Sequence, residues 1–127
     1  MPRTTVFFFQ DADGRSPVVA WLESLRKSDV QAYVRCVAVI QRLGEAGYEL
    51  RRPTADMLRD GIYELRAKKG HVNYRLLYFF HGRNVAIVAH ALTKEDVVPA
   101  IDIERALARK RSYEASPDEH TYVRQSP

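Results

Sequence analysis

Four basic side chains, Arg66, Arg75, His90 and Lys94, carry the chemistry this sequence offers. Arginine presents a planar fork of donors to phosphate oxygens and stacks on bases. Histidine, and a lysine whose pKa nearby cations lower, are suited to moving protons. Converging on one anion, the four would form a phosphate site with its own proton carriers. Arg75 is the informative residue, because it lies in the middle of the apolar run Val72 to Phe80. A charge there must be paired or solvated. One reading is a Glu64–Arg75 cross-strand pair on a solvated sheet face, contributing about 0.2–1 kcal/mol. The other is the phosphate site.

Other chemistries find little support. His71 and His81 fall in turns, His120 falls near the end, and no two histidines have metal-ligand spacing. Gly44-Glu45-Ala46-Gly47 closes a helix instead of opening one, so it is no phosphate loop. Cys36 is the single cysteine and sits in an apolar helical pattern, which excludes an internal disulfide and fits a reducing cytoplasm. No apolar run approaches a membrane span, and Val6 to Phe9 is too short and too soon followed by Asp11 for a signal peptide. No cofactor is expected. The net charge of +4 and a pI near 9.4 favour an anionic partner, nucleic acid or acidic protein.

The elements that must position these residues follow from pattern. Residues 4–9 read as a strand, and Asp11 to Gly14 as a turn. Ser16-Pro17 opens a helix over about 17–27. Ser28 and Gln31 form a capping box for a second helix over about 29–46 that stops at Gly47. A connector then leads to strands over 62–67, 72–80 and 85–92, and a helix over about 99–113. Residues 114–127 read as a loose polar tail to a single domain spanning 1–113. The order β-α-α-β-β-β-α predicts an α+β fold, an antiparallel sheet with helices packed on one face.

Turn positions set the register, and register sets faces. With Lys69-Gly70 and Gly82-Arg83 at the hairpin tips, Glu64 pairs with Arg75, Arg66 with Asn73, Arg75 with His90 and Leu77 with Val88. One face then carries Tyr63, Leu65, Tyr74, Leu76, Tyr78, Ile87 and Ala89 as core. The other carries Glu64, Arg66, Asn73, Arg75 and His90, with Lys94 just beyond.

Gly61-Ile62-Tyr63-Glu64-Leu65-Arg66, then Tyr74-Arg75-Leu76-Leu77-Tyr78, then Ile103-Glu104-Arg105-Ala106, resemble the phage-derived HigB branch of the RelE-like toxins over residues 4–113. Asp13 to Val18 followed by Trp21-Leu22 resembles that group too. The resemblance implies the toxin of a type II toxin–antitoxin pair, a metal-independent endoribonuclease that cleaves mRNA on the ribosome. In such proteins the RNA 2′-OH attacks the adjacent phosphate while the protein orients, stabilises charge and moves protons. By motif, Arg75 would hold the scissile phosphate, Arg66 would assist, and Lys94 would be the proton-transfer lysine. His90 is a further candidate proton carrier. Asn73, Lys68, Lys69, Arg109, Arg111 and Tyr113 are candidate RNA contacts, although cations ending a helix also answer its dipole and Tyr113 also suits packing. The implied partners are mRNA, the ribosome and a helix-turn-helix antitoxin, with operator DNA met only through that complex and no membrane. Where relatives carry an aromatic and a second lysine, this chain has Leu92 and Glu95. A rival reading is therefore a catalytically weakened relative acting as an antitoxin- or RNA-binding module.

Overall fold

The computed structural model describes residues 3–93 and 97–123. Strand β1 (Thr5–Phe8) leads into helices α1 (Pro17–Ser28) and α2 (Val30–Ala46). Strands β2 (Ala55–Arg59), β3 (Ile62–Lys69), β4 (Val72–His81) and β5 (Val85–Thr93) follow, then α3 (Ala100–Ala115) and the short α4 (Pro117–His120). The sheet order is β1-β5-β4-β3-β2, so β4 is central and Arg75 lies in the middle of the sheet. Strands β2 to β5 pair antiparallel, whereas β1 pairs parallel with β5, so the α+β sheet is mixed and not purely antiparallel. A parallel pair needs a long crossover, and the chain between β1 and β5 supplies one.

Local signals account for the element ends. Ser16 caps α1 by accepting from the Val19 amide at 3.3 Å, with Pro17 in the first turn. The cap of α2 is Asp29, accepting from the Ala32 amide at 3.2 Å, and not the expected Ser28, which is the last residue of α1. Gly47 ends α2 at φ 53°, and a Cβ there would collide with Thr4 Oγ1, so the position needs glycine twice over.

Strand β2 falls in the stretch read from sequence as a connector. It is a five-residue edge strand carrying Asp56 and Arg59. Edge strands are commonly short and charged, which blunts unwanted pairing and hides the strand's pattern. The expected loose tail is partly structured: residues 114–115 belong to α3, Thr121 bridges Phe9, and the Tyr122 amide donates to the Phe8 carbonyl at 2.8 Å.

Two cores sandwich the sheet. On one face, Val18, Leu22, Cys36, Val39 and Leu43 of α1 and α2 pack on Leu65, Leu76, Tyr78, Ala86 and Val88. On the other, Ala106 and Tyr113 of α3 pack on Ile62, Leu77, Phe79, Ile87 and Ala89.

The hairpin registers differ from expectation in an instructive way. The β3–β4 turn is Gly70-His71, so Arg66 pairs with Arg75 and Glu64 with Leu77. That is a shift of the tip by one residue, which preserves faces. The β4–β5 loop is three residues, Gly82 to Asn84, so Tyr78 pairs with Val88 and Phe79 with Ile87. An odd loop swaps faces, so Ile87 and Ala89 leave the expected core face and Ala86 and Val88 take it. A β-bulge then intervenes, for Leu77 pairs with His90 while Ala89 has no partner in the ladder. The bulge returns His90 to the face carrying Glu64, Arg66 and Arg75.

No helix among the described residues is long and apolar enough to cross a membrane.

Candidate functional site: an arginine pair on one carboxylate

The sequence GIYELR places Glu64 and Arg66 on one face of β3, two residues apart. Directly across from Arg66 on β4 is Arg75. Glu64 is 1% exposed, yet it joins both. Its Oε1 accepts from Arg66 Nε at 2.7 Å and lies 2.6 Å from Arg66 Nη2. Its Oε2 accepts from Arg75 Nη1 at 2.8 Å. Glu64 and Arg75 are diagonal rather than opposite, a separation that long side chains still bridge. The side chain of Arg66 is 35% exposed and that of Arg75 only 9%, so solvent reaches the pair through Arg66. Around them, Arg66 Nη2 lies 3.8 Å from Asp56, which Arg52 engages at 2.8 Å from the edge strand's side. Lys68 pairs with Asn73 in the next rung, with Lys68 exposed and Asn73 half-buried. Opposite Arg75 on its other side is Leu92, buried in the α3-side core.

A second polar cluster lies under α3. His90 is buried, with Nε2 2.7 Å from Asp102 Oδ1 and Nδ1 2.9 Å from Arg109 Nη1. Arg109 can only donate, so Nδ1 accepts and Nε2–H donates to Asp102, which fixes one neutral tautomer. Burial lowers the His90 pKa from its ordinary value, and Arg109 and Arg105 act in the same direction against the raising effect of Asp102. Arg109 also donates to the Ala89 carbonyl at 2.8 Å, the residue that the bulge leaves outside the ladder.

The structure therefore gathers some of the expected residues and separates others. Arg66 and Arg75 adjoin, with Lys68 and Asn73 beside them. His90 shares their face, but both ring nitrogens are engaged, so the expected proton-carrier role does not fit this arrangement. Lys69 projects to the opposite face and pairs with Asp29 at 2.7 Å, which lowers the Asp29 pKa. Arg109 is committed to His90 and Ala89, while Arg111 is exposed. Tyr113 is 4% exposed and meets Phe79 and His81 edge-on, so its ring faces protein and not an incoming base. Lys94 and Glu95 lie outside the described residues. Asp102 was not expected to matter. An Asp in the first turn of a helix reads as an answer to the dipole, and nothing in the local sequence marks its partner on β5.

A groove between β1 and the helical hairpin, lined by Val6, Phe8, Val19, Leu22, Tyr33 and Val37, contains none of these basic residues. Among the described residues no three metal-capable side chains cluster.

A search of the curated proteins finds no significant match. Residues 21–111 match the family described as phage derived protein Gp49-like. That stretch runs from Trp21 in α1 to Arg111 in α3 and includes all of β2 to β5. With most of the chain covered, and with the basic rung of β3 and β4 inside the match, the chain belongs to the Gp49-like phage-derived family, a toxin-like family of the RelE kind.

Proposed function

We propose that the chain is the toxin of a toxin–antitoxin pair, nearest the HigB branch, and acts as a metal-independent endoribonuclease on mRNA at the ribosome. The observation that carries this reading is the opposed Arg66–Arg75 pair on one buried carboxylate, with the Arg66 side chain reaching solvent. Arg52, Arg66 and Arg75 against Glu64 and Asp56 leave a net positive charge, and Arg66 presents it to solvent. A phosphodiester drawn there would meet Arg66 first and Arg75 behind it. As the RNA 2′-OH attacks, charge grows on the phosphorane oxygens, and preoriented guanidinium donors stabilise that charge more than the ground state. Lys94, by the sequence resemblance, supplies proton transfer. Lys68 and Asn73 extend the contact along the strand, and a helix-turn-helix antitoxin would cover or distort the same face. His90 holds α3 in place and does not exchange protons with substrate.

The test is inducible expression in a bacterial host with mapping of mRNA 5′ ends. Wild type should arrest growth and create new 5′ ends inside coding regions. Arg75→Ala should lower cleavage by roughly 10²-fold or more, the usual cost of removing one charge-stabilising donor. Growth arrest that persists in soluble Arg75→Ala would overturn the site. A harmless wild type at good soluble expression would leave an antitoxin- or RNA-binding module instead.

A further inference from the structure

We propose that Glu64 is a positioning residue, which holds Arg66 and Arg75 as a single two-pronged receptor for an RNA phosphodiester; this rests on the nuclease reading above. Like charges directly opposite on paired strands repel, and long arginine side chains ordinarily relieve this by turning apart. Here both turn toward one carboxylate, with Oε1 assigned to Arg66 and Oε2 to Arg75. Glu64 cannot follow its partners outward, because it is 1% exposed and sits in register with Leu77 beside Ile62, both in the α3-side core. The anchor is therefore fixed by packing, and the two planar guanidiniums inherit its position. A rival anchor stands close by. Asp56 lies 3.8 Å from Arg66 Nη2 on the edge strand. Without Glu64, Arg66 would swing toward Asp56 and away from Arg75.

The arrangement separates two effects of removing the carboxylate. Charge at the site rises, which favours binding of an anion. Geometry at the site is lost, which disfavours the transition state. Glu64→Gln also turns an amide donor toward one of two groups that can only donate. Glu64→Asp keeps the charge but falls one methylene short of spanning both arginines.

The experiment compares wild type, Glu64→Gln and Glu64→Asp on ribosomes programmed with mRNA, reading the cleavage rate at saturation and the half-saturating concentration. In parallel, the arginine Nε–H resonances are followed by NMR as a 2′-O-methyl RNA oligonucleotide, which cannot be cleaved, is added. Both variants should lose about 10- to 100-fold in saturating rate, with half-saturation unchanged or tighter. In wild type the Arg66 and Arg75 resonances should be sharp and should shift together with the oligonucleotide. In the variants they should broaden and move independently. A folded variant that keeps the wild-type saturating rate overturns the proposal, as does a loss confined to half-saturation. If Glu64→Gln fails to fold, Glu64→Asp decides by the same criteria, and if neither folds the wild-type resonances decide. A wild type that cleaves nothing removes the nuclease reading alone. The positioning role then stands if both resonances shift with the oligonucleotide, and falls if they do not.

Discussion

On one half of the sheet face a buried carboxylate collects Arg66 and Arg75; on the other, His90 sits between Asp102 and Arg109. Both are clusters of an acid with basic groups, and both lie on the same face of one sheet. They differ in what remains after internal bonding. Under α3 the accounting is closed: His90 uses both nitrogens, Asp102 accepts one, and Arg109 takes the carbonyl freed by the bulge. Beside the edge strand Glu64 holds two arginines with Asp56 3.8 Å from Arg66, and a third of the Arg66 side chain meets solvent. The same residue types thus serve as a lock where a helix covers them and as a receptor where one of them reaches solvent.

Substitutions that should affect one half and spare the other test that contrast. The largest effect on stability belongs to the closed half. Asp102→Ala leaves the buried His90 Nε2–H without its acceptor and should cost about 1–3 kcal/mol in urea unfolding. The rate of cleavage per folded molecule should stay within about twofold of wild type; a large loss of rate would make the lock part of the receptor. Arg66→Lys should do the reverse. Cleavage should fall about tenfold, near 1.4 kcal/mol, while stability changes by less than about 1 kcal/mol because an ammonium can still donate to the buried Glu64 Oε1.

The smallest effect is the pH dependence of the lock. The His90 pKa is lowered in the folded state, so below about 6.5 the unfolded chain binds more protons than the folded one. This contribution to stability is complete above that value and is lost as the pH falls through the lowered folded pKa, with a slope of at most about 1.4 kcal/mol per pH unit. His90→Gln should flatten the acid limb of stability between pH 7.5 and 5 without steepening it elsewhere. An unchanged limb would show that His90 is not the group responsible.

Much of this contrast was legible in the sequence. Alternation in Ile62 to Ala67, the apolar runs Val72 to Phe80 and Val85 to Leu92, and Ser16-Pro17 and Gly47 gave three strands and both ends of the helical hairpin. The placement of Arg66 and Arg75 on one face was legible because an even register error cannot change faces. What the sequence hid had physical causes. Residues 55–59 alternate over too few positions, with charges on an edge, to stand out as a strand. The face assignment of β5 depended on whether the loop at Gly82 held two residues or three. His90 reached its expected face because an odd loop and a one-residue bulge cancel. Tyr113 and Arg109 looked like surface groups at a basic helix end, and only the docking of α3 on Phe79 and Ala89 buries the one and commits the other. Membership of the family was carried by a pair of short motifs whose combination is specific although each alone is common.

The bulge at Ala89 gives β5 one residue more than its ladder uses. A chain shortened by that residue would keep Leu77 opposite His90 and Arg75 opposite Leu92, so the sheet would tolerate the deletion. Arg109 would lose the carbonyl it holds, and with it one of the three bonds tying α3 to His90's strand. The spare residue works as a fitting for the helix, so loss or gain of one residue here is a route by which descendants of this chain can loosen or re-seat their last helix without redesigning the sheet.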